Sequence, residues 1–132
     1  MDGYRGRYAP SPTGEMHLGN AWTALLSWLH ARSHGGQFIL RIEDLDPERS
    51  RPAYEAQLLD DLRWLGLDWE EGPEKEGPFG PYRQSERFPY YRQLLADFRQ
   101  EGRLYACSCT RAPKGSGTGA LPSPASPARS PN

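Results

Sequence analysis

The chain shows no excess of charge of either sign: 16 Lys and Arg stand against 17 Asp and Glu, a formal net charge of −1 over 132 residues. Nucleic-acid binding carried by bulk electrostatics alone is therefore excluded, although a local basic patch is not. Cysteine is nearly absent. The only two, Cys107 and Cys109, flank a single serine, too close for an ordinary structural disulfide. They read either as two reduced thiols on a strand or as half of a metal site. No apolar run is long enough to span a bilayer and no basic-then-apolar leader opens the chain, so the expected compartment is the cytosol. There is no internal repeat.

Proline and glycine are abundant, 13 and 14 residues, but unevenly placed. Residues 113–132 hold Pro113, Pro122, Pro124, Pro127 and Pro131 and a single large apolar residue, Leu121. Such a segment cannot bury enough surface to offset its ordering entropy, and it is expected to be a disordered tail. Apolar residues make up 36% of the whole, enough for one core in residues 1–112 but short for a multidomain enzyme.

Residues 6–9 form a short segment halted by Pro10 and Pro12, which predicts a strand entering a stiff turn that Gly14 ends. From Leu18 the apolar positions Leu18, Ala21, Trp22, Leu25, Leu26, Trp28 and Leu29 make a helical stripe, closed by Gly35 and Gly36. Residues 37–42 are a compact apolar run of strand length that exits at Glu43, Asp44 and Asp46. Strand, helix and strand within about forty residues predict a βαβ unit and an α/β fold: the first half of a Rossmann-like, doubly wound parallel sheet. A second helix fits residues 53–64, with Leu58, Leu59, Leu62 and Leu65 inward and Gly66 as its stop. Residues 70–87 read as a long loop. Residues 90–100 read as a third helix presenting Tyr91, Leu94, Leu95 and Phe98 on one face, and residues 104–107 as a last short strand.

The segment with the most chemistry is Arg7-Tyr8-Ala9-Pro10-Ser11-Pro12-Thr13-Gly14-Glu15-Met16-His17-Leu18-Gly19-Asn20. It joins a strand end to a helix start, where unpaired N–H groups and the positive end of the helix dipole attract phosphate. Gly19 would let a ligand approach the backbone, and His17 could donate to a phosphoryl oxygen without a permanent charge. A lone His-x-Gly would be no more than a surface turn; fourteen ordered residues are far more specific.

This stretch resembles the signature of class I glutamyl-type aminoacyl-tRNA synthetases, with His17-Leu18-Gly19-Asn20 at the place of the HIGH motif and Asn20 departing from its final histidine. The resemblance continues in Phe38-Ile39-Leu40-Arg41-Ile42-Glu43-Asp44 and in Gly80-Pro81-Tyr82-Arg83-Gln84-Ser85-Glu86-Arg87, and covers residues 4–112. It implies ATP-dependent activation of glutamate and its transfer to tRNA. His17 and Asn20 would act at the phosphorus, and ATP, with magnesium as counter-ion, would lie against Pro10, Thr13, Gly14, His17, Gly19 and Asn20. Glutamate would lie against Arg7, Tyr8, Ala9, Pro10, Ser11 and Glu43. The chemistry agrees: a substrate with two carboxylates and one ammonium needs a fixed cation, here the planar fork of Arg7, and a fixed anion, here Glu43, with the Ser11 hydroxyl between. A structural ion pair between Arg7 and Glu43 is the plainer alternative. Asp44 and Asp46 read as solvated carboxylates sooner than metal ligands.

Cys107-Ser108-Cys109-Thr110-Arg111 resembles the opening of the family's zinc-binding insertion. Zinc takes four ligands, and no later Cys or His supplies the remaining two. Placed after Leu104-Tyr105, that segment favours the branch that glutamylates the queuosine of tRNA(Asp) over the branch that charges tRNA(Glu). His30 and His34 stand four apart, a ligand-like spacing equally explained by positive character at a helix C-terminus. Trp22, Trp28, Trp64, Trp69, Tyr90 and Tyr91 could stack on a base, but at helical spacing they suit a core. Arg83, Arg87 and Arg92 could meet a tRNA acceptor end or form a solvated face. The match ends at Ala112, and the change of composition there reads as a truncated or frameshifted continuation. A monomer with little activity by itself is therefore expected. The competing readings are a small His-x-Gly-His nucleotidyltransferase, which would need neither Arg7 and Ser11 nor the cysteines, and an inert fragment that at most binds ATP or glutamate.

Overall fold

The computed structural model describes residues 3–105. Cys107, Cys109 and the tail of residues 113–132 lie outside them. In chain order the elements are β1 (Arg5–Tyr8), α1 (Leu18–Ser33), β2 (Gln37–Leu40), α2 (Pro52–Trp64), a single 3-10 turn (Ser85–Arg87) and α3 (Phe88–Gln100). The described residues fall into two units that divide between Tyr91 and Arg92, inside α3. The expected βαβ unit is present: β1 and β2 pair in parallel, with Arg5 opposite Gln37 and Tyr8 opposite Leu40.

Alternation along β1 decides which face is covered. Gly6 and Tyr8 are buried while Arg5 and Arg7 are exposed. α1 packs on the Gly6 side so tightly that a Cβ at Gly6 would sit 3.0 Å from that of Ala31. At the turn into β2 the approach is closer still, since a Cβ at Gly36 would lie 2.3 Å from the Tyr4 carbonyl oxygen. The core collects Tyr8, Phe38, Leu40 and Ile42 from the strand segments, Leu58, Leu59 and Leu62 from α2, and Leu67 and Trp69 beyond it. Full burial of a leucine such as Leu62 contributes about 1.5–3 kcal/mol.

Two expectations are corrected here. Only part of the apolar stripe of α1 faces the core: Leu25 and Trp28 pack against it, whereas Leu18 is 86% exposed and Trp22 59%, with Leu26 and Leu29 also exposed, and the fully buried positions are Ala24 and Ala31. A helix lying this close to a glycine-bearing strand admits only small side chains at the contact itself, so Leu18, Trp22, Leu26 and Leu29 are turned outward. Residues 70–87 are not a free loop either. Leu40 N–H donates to the Glu71 carbonyl, Glu70 N–H to that of Phe38, Ile42 N–H to that of Tyr82 and Gln84 N–H to that of Ile42, so two short pieces extend the sheet on the far edge of β2. Smaller differences occur elsewhere. Leu65 is exposed, no residue of α3 is buried, and Leu104 and Tyr105 form no strand.

What holds the first added piece is a buried carboxylate. Glu71 is 4% exposed; its Oε1 accepts from the Arg5 guanidinium at 2.5 Å and its Oε2 from the Tyr82 hydroxyl. Burial alone would push its carboxyl up, but Tyr82 and Arg5 outweigh burial and hold it below its ordinary value of 4.5. Burial first, and Glu71 second, push the Tyr82 hydroxyl up. A carboxyl lowered on folding stabilises the native state above the unfolded-state pKa, and that contribution is lost as pH falls through the lower folded value. Denaturant titrations of the parent and Glu71→Gln should therefore differ most near neutrality and converge as pH drops below about 4.5. A gap that stays constant with pH would contradict this account.

Candidate active site

The strand ladder continues past the regular strands into the site. Arg41 N–H donates to the Tyr8 carbonyl at 3.0 Å and Glu43 N–H to the Pro10 carbonyl at 2.8 Å, which brings the Pro-Ser-Pro turn alongside Glu43. Arg51 N–H donates to the Pro12 carbonyl at 3.0 Å and Thr13 N–H to that of Ser11 at 2.9 Å, so the turn is pinned at both ends. Pro10 and Pro12 restrict the chain between these bonds.

Because parallel partners share a face, Arg7 and its partner Ile39 lie on the side away from α1, where both line a cleft with Arg5, Gly6 and Phe79. Arg41 and Glu43 follow Ile39 at the two-residue period and join in an ion pair, so they occupy that same face. Ser11, Thr13 and Glu43 line a second cleft of about 220 Å³ together with Leu45, Asp46 and Arg49. The structure thus brings Ser11, Thr13 and Glu43 to one cleft and sets Arg7 in another. Ala9 and Pro10 are half-buried at the strand exit between them.

Tyr8 could contribute to this face only through its main chain. Its ring points into the core, 7% exposed, and burial pushes its unpaired hydroxyl up. Only its main chain reaches the Arg7 face. Gly14 has open space where a side chain would stand, so no close contact explains it.

His17 is the N-cap of α1. Its Nδ1 accepts from the Gly19 N–H at 3.2 Å, and its carbonyl accepts from Asn20 at 2.9 Å and Ala21 at 3.1 Å. A neutral imidazole accepting at Nδ1 carries its proton on Nε2, which leaves an exposed donor at the helix start. A Cβ at Gly19 would come 3.1 Å from the His17 ring, so a side chain there would crowd the cap. Asn20 is exposed beside it.

Other candidates are committed to structure. Asp44 accepts from the Ser85 N–H at 2.8 Å and the Ser85 hydroxyl at 2.5 Å, and Asp46 accepts from the Glu48 and Arg49 N–H groups, so neither is merely solvated. Arg83 pairs with Glu55 at 2.7 Å and with Glu86 at 3.3 Å, while Arg87 donates to the Pro81 and Phe79 carbonyls. Of the aromatics, Trp69 is buried and Trp28 packs on the core, but Trp22, Trp64 and Tyr90 are exposed. Among the described residues no group of three or more His, Cys, Asp or Glu side chains could hold a metal. Sequence reasoning missed Arg41 and Arg49. For Arg41 a signal existed, since an opposite charge two residues along a strand shares its face.

A parallel βαβ unit with a carboxylate and a guanidinium at its strand exits, beside a capped helix start, is the first half of a Rossmann-like α/β domain. The family model described as tRNA synthetases class I (E and Q), catalytic domain, matches residues 4–113, and the chain belongs to that family. It is 64% identical over 107 residues to a glutamyl-Q tRNA(Asp) synthetase of Symbiobacterium thermophilum, covering 81% of this chain and 33% of that protein. It is 56% identical, also over 107 residues, to the glutamate–tRNA ligase of the same organism, covering 81% and 22%. The glutamate–tRNA ligase of Elizabethkingia meningosepticum, solved in complex with its amino acid, superposes with a TM-score of 0.68 at 46% identity, over 73% of this chain and 19% of that one. The chain spans a third or less of the length of these relatives.

The contact between His17 and Gly19 generates a stability test. His17→Ala should cost about 1 kcal/mol through the lost cap. Gly19→Ala should stabilise by up to about 1 kcal/mol in that background, from helix propensity, and give no gain where His17 is intact. Thermal unfolding of the four proteins measures the coupling, and additive effects would show that the ring does not fold back on Gly19.

Proposed function

We propose that residues 1–112 are the N-terminal part of a synthetase catalytic domain that binds ATP and glutamate, activates glutamate at its α-carboxylate and passes it to tRNA. The observation that supports this best is the shared sheet face of Arg7 and Glu43, with Ser11 and Thr13 around Glu43. In this reading the Glu43 carboxylate holds the substrate ammonium and the Arg7 fork takes the side-chain carboxylate. The Ser11 hydroxyl hydrogen-bonds between them, and Ala9 and Pro10 offer main chain at the same exit. Activation joins an α-carboxylate oxygen to the α-phosphorus of ATP and releases pyrophosphate. Charge grows on the phosphoryl oxygens, where the His17 Nε2–H, Asn20 and the start of α1 can donate. Thr13, Gly14 and Gly19 would border the nucleotide, and magnesium would accompany its phosphates.

Arg41 already neutralises part of Glu43. Substrate ammonium must compete with that guanidinium, so the charge on Glu43 matters twice: for the pair and for the ligand. In pyrophosphate exchange by the complete gene product, Glu43→Gln should weaken glutamate use by about 1.5–3 kcal/mol, roughly 10- to 100-fold, and leave ATP use little changed. Equal losses for both substrates would remove Glu43 from the amino-acid site.

For the acceptor, we propose the queuosine of tRNA(Asp). Supporting this is the higher identity to the glutamyl-Q tRNA(Asp) synthetase than to the glutamate–tRNA ligase of one organism, 64% against 56% over equal lengths. The second reading, a ligase charging tRNA(Glu), draws on a glutamate–tRNA ligase 2 of Syntrophus aciditrophicus at 58%. Charging assays with queuosine-bearing tRNA(Asp) beside tRNA(Glu) separate the two. Glutamylation of tRNA(Asp) only where queuosine is present is the expected result, and charging of tRNA(Glu) alone overturns it.

A further inference from the structure

At the opposite ends of the strands from Ser11 and Glu43, three rings meet around the last turn of α1. His30 and His34 have ring centroids 4.4 Å apart at 38°. Tyr4, the residue before β1, lies edge-on to His30 at 4.9 Å and stacked on His34 at 5.1 Å. The synthetase reading uses none of them.

Their hydrogen bonds select particular ring nitrogens. His34 Nδ1 lies 2.8 Å from the His30 carbonyl, which can only accept, so the proton of a neutral His34 is on Nδ1 and its lone pair is on Nε2. The Ser33 hydroxyl, 3.1 Å away, adds a second partner on that same side. His30 Nδ1 is 2.8 Å from the Tyr4 hydroxyl. A phenol accepts as readily as it donates, so it can hold an Nδ1–H on His30 and free Nε2 there too. Among the described residues neither Nε2 has a partner. An imidazole whose far nitrogen is anchored to a carbonyl or hydroxyl is the usual state of a metal-bound histidine.

The electrostatics favour a cation as well. The rings stand at a helix C-terminus, the negative end of the dipole. The neighbouring guanidinium of Arg32 is spent on Asp68 at 2.7 Å and Glu70 at 2.8 Å, and that of Arg5 on Glu71. Little free positive charge remains to repel an ion.

We propose that His30 and His34 form a two-imidazole clamp, through their Nε2 atoms, for a divalent late transition-metal ion of the zinc, nickel or copper type. Tyr4 acts as the positioning group for His30. Nitrogen donors suit these ions, whereas magnesium and calcium prefer oxygen. Water completes the shell on the exposed side, so the site is open and exchangeable.

The test uses the full chain carrying Cys107→Ser and Cys109→Ser, so that no thiolate competes for the ion. Zinc chloride is titrated in while the ring nitrogens of the three histidines are followed by long-range ¹H–¹⁵N spectra. The expected result is that Nε2 of His30 and Nε2 of His34 move together, with one midpoint, while His17 stays still. His34→Gln should abolish the response of His30, and Tyr4→Phe should weaken zinc binding roughly tenfold. Different midpoints for the two rings in the parent spectrum, or a response of His17 alone, would overturn the clamp without reference to any variant. So would an unchanged His30 response in a folded His34→Gln protein.

Discussion

The parallel pairing of β1 with β2 is the constraint on which the first unit depends. Four paired positions, from Arg5 with Gln37 to Tyr8 with Leu40, set which residues are core and which belong to the site, because the side-chain period of a strand is two. A slip of one residue would send Arg7 into the core and Tyr8 out onto the face away from α1. Two contacts guard against that slip. Gly6 opposite Ala31 admits no larger group, and Gly36 lies against Tyr4 where no Cβ fits. The register is therefore locked by an absence of side-chain volume as much as by hydrogen bonds. It persists beyond the regular strands, through the bonds from Arg41 to Tyr8 and from Glu43 to Pro10, to the residues proposed for catalysis.

Charge on the sheet face away from α1 is arranged in tiers. Arg5 is spent on the buried Glu71, which anchors the added edge of the sheet. Arg41 is spent on Glu43. Arg7, two residues on from Arg5 and on the same face, is in none of the ion pairs among the described residues. Under the proposed function, a guanidinium kept on a face where its neighbours are already neutralised is the one available to an incoming carboxylate. In that same reading, a carboxylate shared with Arg41 is held in place before an ammonium arrives, which reduces the ordering that binding would otherwise require.

Much of this was legible in the residues, and the parts that were not have identifiable causes. Helix and strand limits were readable because proline and glycine punctuate them: Pro10 and Pro12 after β1, Gly35 and Gly36 before β2, Gly66 after α2. The orientation of α1 was not. Counting large apolar residues picks Leu18, Trp22 and Leu29, whereas the sheet selects for smallness and takes Ala24 and Ala31. The pairing of residues 70–71 with β2, and of residues 82–84 with Ile42 just past it, was hidden for a different reason. It turns on Glu71, and a charged residue is normally assigned to the surface unless its partners, here Arg5 and Tyr82, are seen to converge from 66 and 11 positions away. At the site, the ordered motif located the strand exit and the helix start together, but pattern alone could not tell that the Tyr8 side chain faces inward while its neighbour Arg7 faces away from α1. Nor could it reveal that Gly19 lies against the His17 ring.

The two ends of the βαβ unit illustrate how one helix can carry unlike chemistry. At the start of α1, His17 uses its Nδ1 lone pair on the helix itself and presents an N–H outward, the polarity wanted for an anion. In the last turn, His34 spends its Nδ1 proton on the helix and presents a lone pair outward, the polarity wanted for a cation. The difference follows from what a helix leaves unpaired, donors at its beginning and acceptors at its end. The same side chain, in contact with the same element, is thereby converted from a hydrogen-bond donor to a ligand by position alone. Any reading of this protein's histidines by type, without reference to the helix end each occupies, would assign them one role where the backbone assigns two.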